Sequence, residues 1–234
     1  MNGEGELLHV DRCSMSDQAY QILKESIFSD RFGPGQKLNL PAIAKQMGVS
    51  RTPLKEALSR LASDGLVEIM PRRGTFVTTP SRRDIEESFD VRRILEVYAI
   101  GLAAESCTDA QIAQLRELVS RMWEVVNVND RTKTYKRYTE LDRAFHQLVV
   151  DCSGNDRLRE AWEQINVHVQ MARIRYRRAD RELDASIAQH ERIVGLFPDR
   201  NRGQLQRLMG RHIEEAKHAL LRDLDELKSA SRDE

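Results

Sequence analysis

The sequence predicts a mainly α protein in two parts: a small helical unit ending in a two-stranded hairpin, then an all-α bundle. Three observations carry this. Leu54, Ala57, Leu58 and Leu61 recur at helical spacing after a turn at Gly48, and a shorter apolar helix with Leu40, Ile43, Ala44 and Met47 precedes that turn. Two β-prone runs, 66–70 and 75–78, flank the turn Pro71-Arg72-Arg73-Gly74. Beyond Ser81 the apolar residues keep a helical period that only short polar turns interrupt.

In chain order, residues 1–13 read as a flexible arm. Ser16 opens a helix to about residue 30, with Ala19, Ile22, Leu23 and Ile27 on its buried face. A turn at 32–35 follows. Ser50 stands where a helix N-cap accepts a backbone N–H, and Pro53 falls in the first turn, where a missing N–H costs nothing. Together, residues 14–78 make a winged helix-turn-helix unit. Residues 79–81 are a linker, and Ser81-x-x-Asp84 is a capping box. Six helices follow, at roughly 82–106, 108–128, 132–153, 156–178, 183–198 and 201–229. Thr108-x-x-Gln111 caps the second, and 153–155 and 198–199 mark breaks. Helices joined by such short loops form a bundle over 82–229, and 230–234 is a tail.

Two helices around a glycine turn, with a basic N-terminal end on the second, suit a helix that enters a DNA major groove. Arg51, Thr52, Pro53, Lys55 and Arg60 lie on that helix. Arg72, Arg73 and Gly74 form the hairpin tip, which is placed to reach a neighbouring groove or phosphate row. The same pattern also describes an ordinary helical hairpin with solvated charges.

The 234 residues suit one large or two small domains, and a 40% hydrophobic content supports a packed core. Zero net charge argues against indiscriminate coating of nucleic acid. Residues 35–80 nevertheless hold seven basic against three acidic groups, a local excess of four. Cys13, Cys107 and Cys152 are too widely spaced for a disulfide framework or a Cys-x-x-Cys metal site. No apolar run approaches the ~20 residues that cross a bilayer. The N-terminus does not read as a signal peptide, so a cytoplasmic location without a membrane partner is expected.

The bundle carries a second pattern. Asp142 and His146 lie four apart on one helix face, flanked by Leu141, Phe145, Leu148 and Val149. His190 follows among Ile187, Ile193 and Val194, and His212 among Leu208, Ile213 and Ala216. One carboxylate and three imidazoles suit a divalent transition metal, although a histidine on an apolar face is also an ordinary core residue. Arg92, Arg93, Arg173 and Arg175 are candidates to fork onto an effector carboxylate or to form surface ion pairs. Trp123, Trp162 and Tyr138 line a pocket or fill the core.

The run from Pro34-Gly35 through Gly48-Val49-Ser50-Arg51-Thr52-Pro53-Leu54-Lys55-Glu56-Ala57-Leu58 to Asp64-Gly65-Leu66-Val67 and Arg72-Arg73-Gly74 resembles the winged-helix domain of the GntR family of bacterial transcription regulators. In that family the residues matching Arg51, Thr52 and Lys55 touch DNA, and the glycine matching Gly74 enters the minor groove. Two positions depart from the pattern. Lys55 stands where arginine is usual, and lysine forks poorly onto guanine; Pro41 stands where an arginine often contacts phosphate. Residues 82–229, opening with Val91-Arg92-Arg93-Ile94-Leu95-Glu96, look like the helical FCD effector domain of the FadR subgroup, in its VanR-like branch. Many of its members bind a metal through an Asp-x3-His pair and two later histidines. Asp142, His146, His190 and His212 match that set.

The resemblance implies a non-enzymatic repressor that binds a palindromic double-stranded operator as a homodimer. It also implies modulation by a small organic acid at a Zn²⁺ or Ni²⁺ site. Two alternatives stand beside it: a metal-dependent enzyme with an accessory DNA-binding domain, and a regulator whose metal is purely structural. No nucleotide loop or His-Glu-x-x-His motif speaks for the enzyme.

Overall fold

The computed structural model describes residues 14–126, 131–176 and 183–230. The expected arm at 1–13, with His9 and Cys13, lies outside them, as do 231–234 and the expected helix ends at 127–128 and 177–178. The chain divides into two compact units, 1–78 and 79–234.

The first unit contains helices α1 (Met15–Phe28), α2 (Leu40–Met47) and α3 (Arg51–Ser63), then strands β1 (Val67–Met70) and β2 (Gly74–Val77). Helix α1 starts at Met15 rather than Ser16, because Ser14 and Asp17 close a reciprocal capping box. Gly48 ends α2 in the left-handed region, at φ 65°, where glycine is unstrained. Leu54, Leu58 and Leu61 on α3 are buried, contributing roughly 1.5–3 kcal/mol each. Strands β1 and β2 pair antiparallel, with Val67 opposite Val77 and Met70 opposite Gly74. The chain at 35–38 extends the hairpin through Gly35 N–H to Val77 O (2.9 Å) and Leu38 N–H to Thr75 O (2.8 Å).

The second unit is a bundle of α4 (Arg82–Ser106), α5 (Asp109–Val126), α6 (Arg131–Cys152), α7 (Asp156–Arg175), α8 (Leu183–Gly195) and α9 (Arg202–Ala230). Ser81 and Asp84 form the expected capping box of α4, and Gln111 N–H reaches Thr108 Oγ1 (3.3 Å) at the start of α5. Helix α4 is central and packs on α9, α7 and α6. Ile85, Phe89, Ala99, Ile100 and Ala103 line its buried face. Arg92 and Glu96 fall in phase with them and are buried too. The Tyr176 hydroxyl donates to the Pro80 carbonyl (2.7 Å), pinning the segment that enters α4.

Candidate metal centre and nucleic-acid interface

Helix α6 projects Asp142 and His146 from successive turns of its inner face. Helices α8 and α9 add His190 and His212, and all four side chains are at most 2% exposed. One ligand atom from each lies within 4.8 Å of the others. His146 Nε2 is 3.3 Å from His190 Nε2 and 3.2 Å from His212 Nε2. Asp142 Oδ1 is 3.5 Å from His190 Nε2 and 3.7 Å from His146 Nε2. An ion ~2.1 Å from each ligand needs ligand separations of roughly 3.0 Å at a right angle or 3.4 Å at the tetrahedral angle. The cluster stands close to that spacing.

Surrounding groups fix how the rings face. Glu96 Oε1 accepts from Arg92 Nε (2.7 Å) and Trp162 Nε1 (2.6 Å), while its Oε2 meets His146 Nδ1 (2.5 Å). Burial alone would raise the Glu96 carboxyl, but Arg92 and His146 outweigh it and hold the group down at about 2. An ionised Glu96 makes His146 Nδ1 the donor, so Nε2 turns inward. Gln189 does the same for His212. Its Nε2 donates to Glu215, which leaves Oε1 to accept from His212 Nδ1 (2.8 Å). His190 Nδ1 has no hydrogen-bond partner among the described residues.

With Nδ1 as the donor, His146 and His212 turn their Nε2 lone pairs toward each other, an arrangement that suits a positive centre between them. Burial lowers His190 to about 3 and, with its histidine neighbours, takes His212 well below the ordinary imidazole range. His146 goes the other way: burial lowers it, but the Glu96 carboxylate wins and raises it. Asp142 is held well below the usual carboxylate range, Arg173 and His146 overcoming the cost of burial. These residues fit a divalent transition metal, which binds neutral imidazole and ionised carboxylate.

A cavity of about 80 Å³ adjoins the cluster, lined among others by Tyr135, Tyr138, Arg173, Ser186, Gln189 and His212. Of the four arginines singled out in the sequence, Arg173 alone lines it, bonded through Nη1 to Asp142 Oδ2. Arg92 is buried and engaged with Glu96. Arg93 is exposed, 3.9 Å from Glu214, and Arg175 is exposed beside the Tyr176 ring. Trp162 is buried against Glu96, whereas Trp123 packs at the edge of the core. Glu96, Gln189 and Glu215 were not singled out in the sequence. For Glu96 a signal existed: an Arg92–Glu96 pair in phase with an apolar face marks buried charge.

In the first unit, Arg51, Thr52 and Lys55 are exposed at the N-terminal end of α3, and Pro53 is half-buried between them. Ser50 occupies the N-cap but makes no side-chain cap bond. The third helical residue is Pro53, which has no N–H to offer, so the expected bond to that position cannot form. Helix geometry gives the first-turn N–H groups no intrahelical acceptor, and such groups suit a phosphate oxygen. Arg72 and Arg73 are exposed at the hairpin tip. Gly74 has φ 119°, a backbone conformation that favours glycine; a Cβ there would meet only the movable end of Lys37, at 2.8 Å from Cε. Arg60 is not brought together with this group. It lies about 13 Å further along α3, pairs with Asp17 on α1 and stacks 4.3 Å from the Tyr20 ring centre.

A winged helix-turn-helix unit with an exposed basic helix end, followed by a bundle with a buried Asp/His cluster able to hold an ion beside a cavity, has the build of a DNA-binding regulator with a sensory domain. Residues 15–77 match the gntR family of bacterial regulatory proteins and residues 87–215 match the FCD domain; the chain belongs to the GntR family of transcription regulators and carries an FCD effector domain. The Nta operon transcriptional regulator of Aminobacter aminovorans is 30% identical, over 80% of this chain and 85% of its own. The HTH-type transcriptional repressor RspR of Escherichia coli is 28% identical over 86% of each. The solved structure of E. coli McbR/YncC shares the fold, with a TM-score of 0.77 and 23% identity over 90% of this chain and 99% of that one. These relatives are regulators rather than enzymes. Among the described residues no helix is long and apolar enough to cross a membrane.

Proposed function

We propose that the chain is a cytoplasmic repressor that binds a palindromic operator as a homodimer and responds to a small carboxylate metabolite held at a metal in the FCD domain. The observation that carries the sensory half is the convergence of three imidazole Nε2 atoms and one carboxylate oxygen, with His146 and His212 oriented by Glu96 and Gln189. Asp142, His146, His190 and His212 hold the ion, Zn²⁺ or Ni²⁺. When bound, the ion acts as a Lewis acid that attracts an anionic oxygen. Arg173 lines the adjoining cavity and, having five N–H donors, has some to spare for a carboxylate after binding Asp142. A cavity of about 80 Å³ suits a molecule of several non-hydrogen atoms.

Arg51, Thr52 and Lys55 read and grip DNA with Pro53 leaving the helix end free, while Arg72, Arg73 and Gly74 engage the neighbouring groove. Arg60 supports this surface through its pairing with α1. The homodimer rests on α4, where Val91, Ile94 and Tyr98 form an exposed apolar stripe. Arg83 and Glu105 stand eleven residues either side of Ile94. An antiparallel pair of α4 helices centred on Ile94 therefore places Arg83 of one copy against Glu105 of the other.

The test is the double variant His190→Ala with His212→Ala. It loses metal and effector response and keeps basal operator binding. A double variant that retains its metal and still responds refutes the site. One that loses operator binding by unfolding favours a structural ion.

A further inference from the structure

The bundle contains a second chemical centre, where the end of α6, six residues beyond His146, meets the end of α4. Cys107 caps the C-terminus of α4, and Cys152 is the last residue of α6. Their sulfurs lie 3.2 Å apart, although the residues are 45 positions apart in the chain. We propose that Cys107 and Cys152 are a redox-active dithiol that hydroperoxides oxidise to an intrachain disulfide joining the ends of α4 and α6.

Three features support this beyond proximity. First, the two helix ends are already tied, because the Ser106 hydroxyl donates to the Cys152 carbonyl. The sulfurs need to approach by only about 1.2 Å to reach the S–S bond length of about 2.05 Å. Second, a cation is fixed beside Cys107. The Arg200 guanidinium caps the end of α4 by donating to the carbonyls of Ala104 (3.2 Å), Glu105 (3.0 Å) and Cys107 (3.1 Å). The sulfur–sulfur hydrogen bond, aided by Arg200, lowers the Cys107 thiol against the opposing effect of burial, while the same bond and burial raise Cys152. Cys107 is thus the nucleophile and Cys152 the resolving thiol. Third, the pair is buried but lies near the surface: the turn that directly follows Cys152 borders a solvent-facing depression lined by Leu102, Ser153, Gly154 and Asn155.

The chemistry closes in two steps. The Cys107 thiolate attacks one oxygen of the hydroperoxide; the O–O bond breaks, an S–O bond forms, and the departing alkoxide takes up a proton as the alcohol. The Cys152 sulfur then attacks the Cys107 sulfenic acid; the S–S bond forms, and hydroxide leaves as water with the Cys152 proton. Two thiols and one hydroperoxide give one disulfide, one alcohol and one water.

The experiment uses the full chain carrying Cys13→Ser, treated with hydrogen peroxide, alkylated after unfolding and mapped by mass spectrometry without reductant. The expected result is loss of both remaining thiols, a cross-linked peptide pair containing Cys107 and Cys152, and full recovery on adding dithiothreitol. The variant Cys152→Ser should stop at a sulfenic acid on Cys107 that dimedone traps. Two intact thiols after treatment, sulfinic acid on either cysteine without a cross-link, or disulfides only between chains would each overturn the proposal. Mapping of the Cys13→Ser protein decides even where Cys152→Ser does not fold.

Discussion

Metal loading of the histidine cluster should displace about one proton, not three, and the geometry sets that number. The ring centres of His146 lie 5.3 Å from His190 and 5.2 Å from His212, and those two are 4.3 Å apart. Two imidazolium charges about 5 Å apart repel by roughly 3 kcal/mol at an effective dielectric constant near 20. That displaces a second protonation by about 2 pKa units, before burial adds its own cost. The shifts have the corresponding signs: the Glu96 carboxylate raises His146 against burial, whereas burial lowers His190 and His212, so a proton entering the cluster goes to His146 first. Asp142 remains ionised.

Metal affinity therefore falls as pH drops through the raised His146 value, with a limiting slope of one proton. Between about pH 7 and about pH 5 the loss is at most roughly 100-fold. Three independent imidazoles of ordinary pKa would lose roughly ten-thousand-fold over the same range. Competition against a chromophoric chelator measures the affinity. Calorimetry in buffers of different ionisation enthalpy counts the protons directly. A loss near the larger figure, or close to three protons released at the acid end, refutes the reasoning.

Glu96→Gln should lower metal affinity about 10–100-fold by loosening His146. It should also cost roughly 3–5 kcal/mol of stability, because Arg92 is left buried without its counter-ion; wild-type values in chelator competition and denaturant melts would contradict this. Arg51→Ala should weaken operator binding by roughly 1–3 kcal/mol. Arg72→Ala should weaken all sequences alike and reduce the salt slope by about one; fluorescence anisotropy across salt concentrations separates the two, and unchanged binding in both places the reading surface elsewhere. Ile94→Glu should yield a monomer by sedimentation, and a persistent dimer would move the interface off α4.

The sequence carried the helices because their signals are local. Ser81 with Asp84, Thr108 with Gln111, and the apolar period of α3 each act within a turn or two. The same locality produced the misses at Ser50 and Ser16, where a proline at the third helical position and an earlier serine with its own acidic partner changed the cap. In the site, Asp142 and His146 share one helix face and were visible as a pair from spacing; His190 and His212 were tied to them only through the family resemblance, because spacing does not record which helices pack against α6. Gln189 was invisible because its role depends on where Glu215 of α9 stands. The Cys107–Cys152 contact was invisible for the same reason, since it exists only through the packing of α4 on α6.

The charges around the cluster explain why an ion there should call for an anion. Arg92 with Glu96 and Arg173 with Asp142 form two buried pairs, each neutral in sum. These two pairs leave the buried charge even apart from the proton that His146 can take up, while Glu215 stands on the exposed side of the cavity. A divalent ion replaces that proton and brings about two positive charges into space that water only partly reaches, which costs several kcal/mol unless negative charge follows. The protein contributes no further carboxylate to the cluster among the described residues. The adjoining cavity, with the spare N–H groups of Arg173 on its wall, is where that charge can enter. The proposed role of the ion as a binding partner of the effector then predicts that a small acid binds the metal-loaded protein more tightly than its neutral amide or ester, and equal binding of acid and amide in calorimetry would refute it.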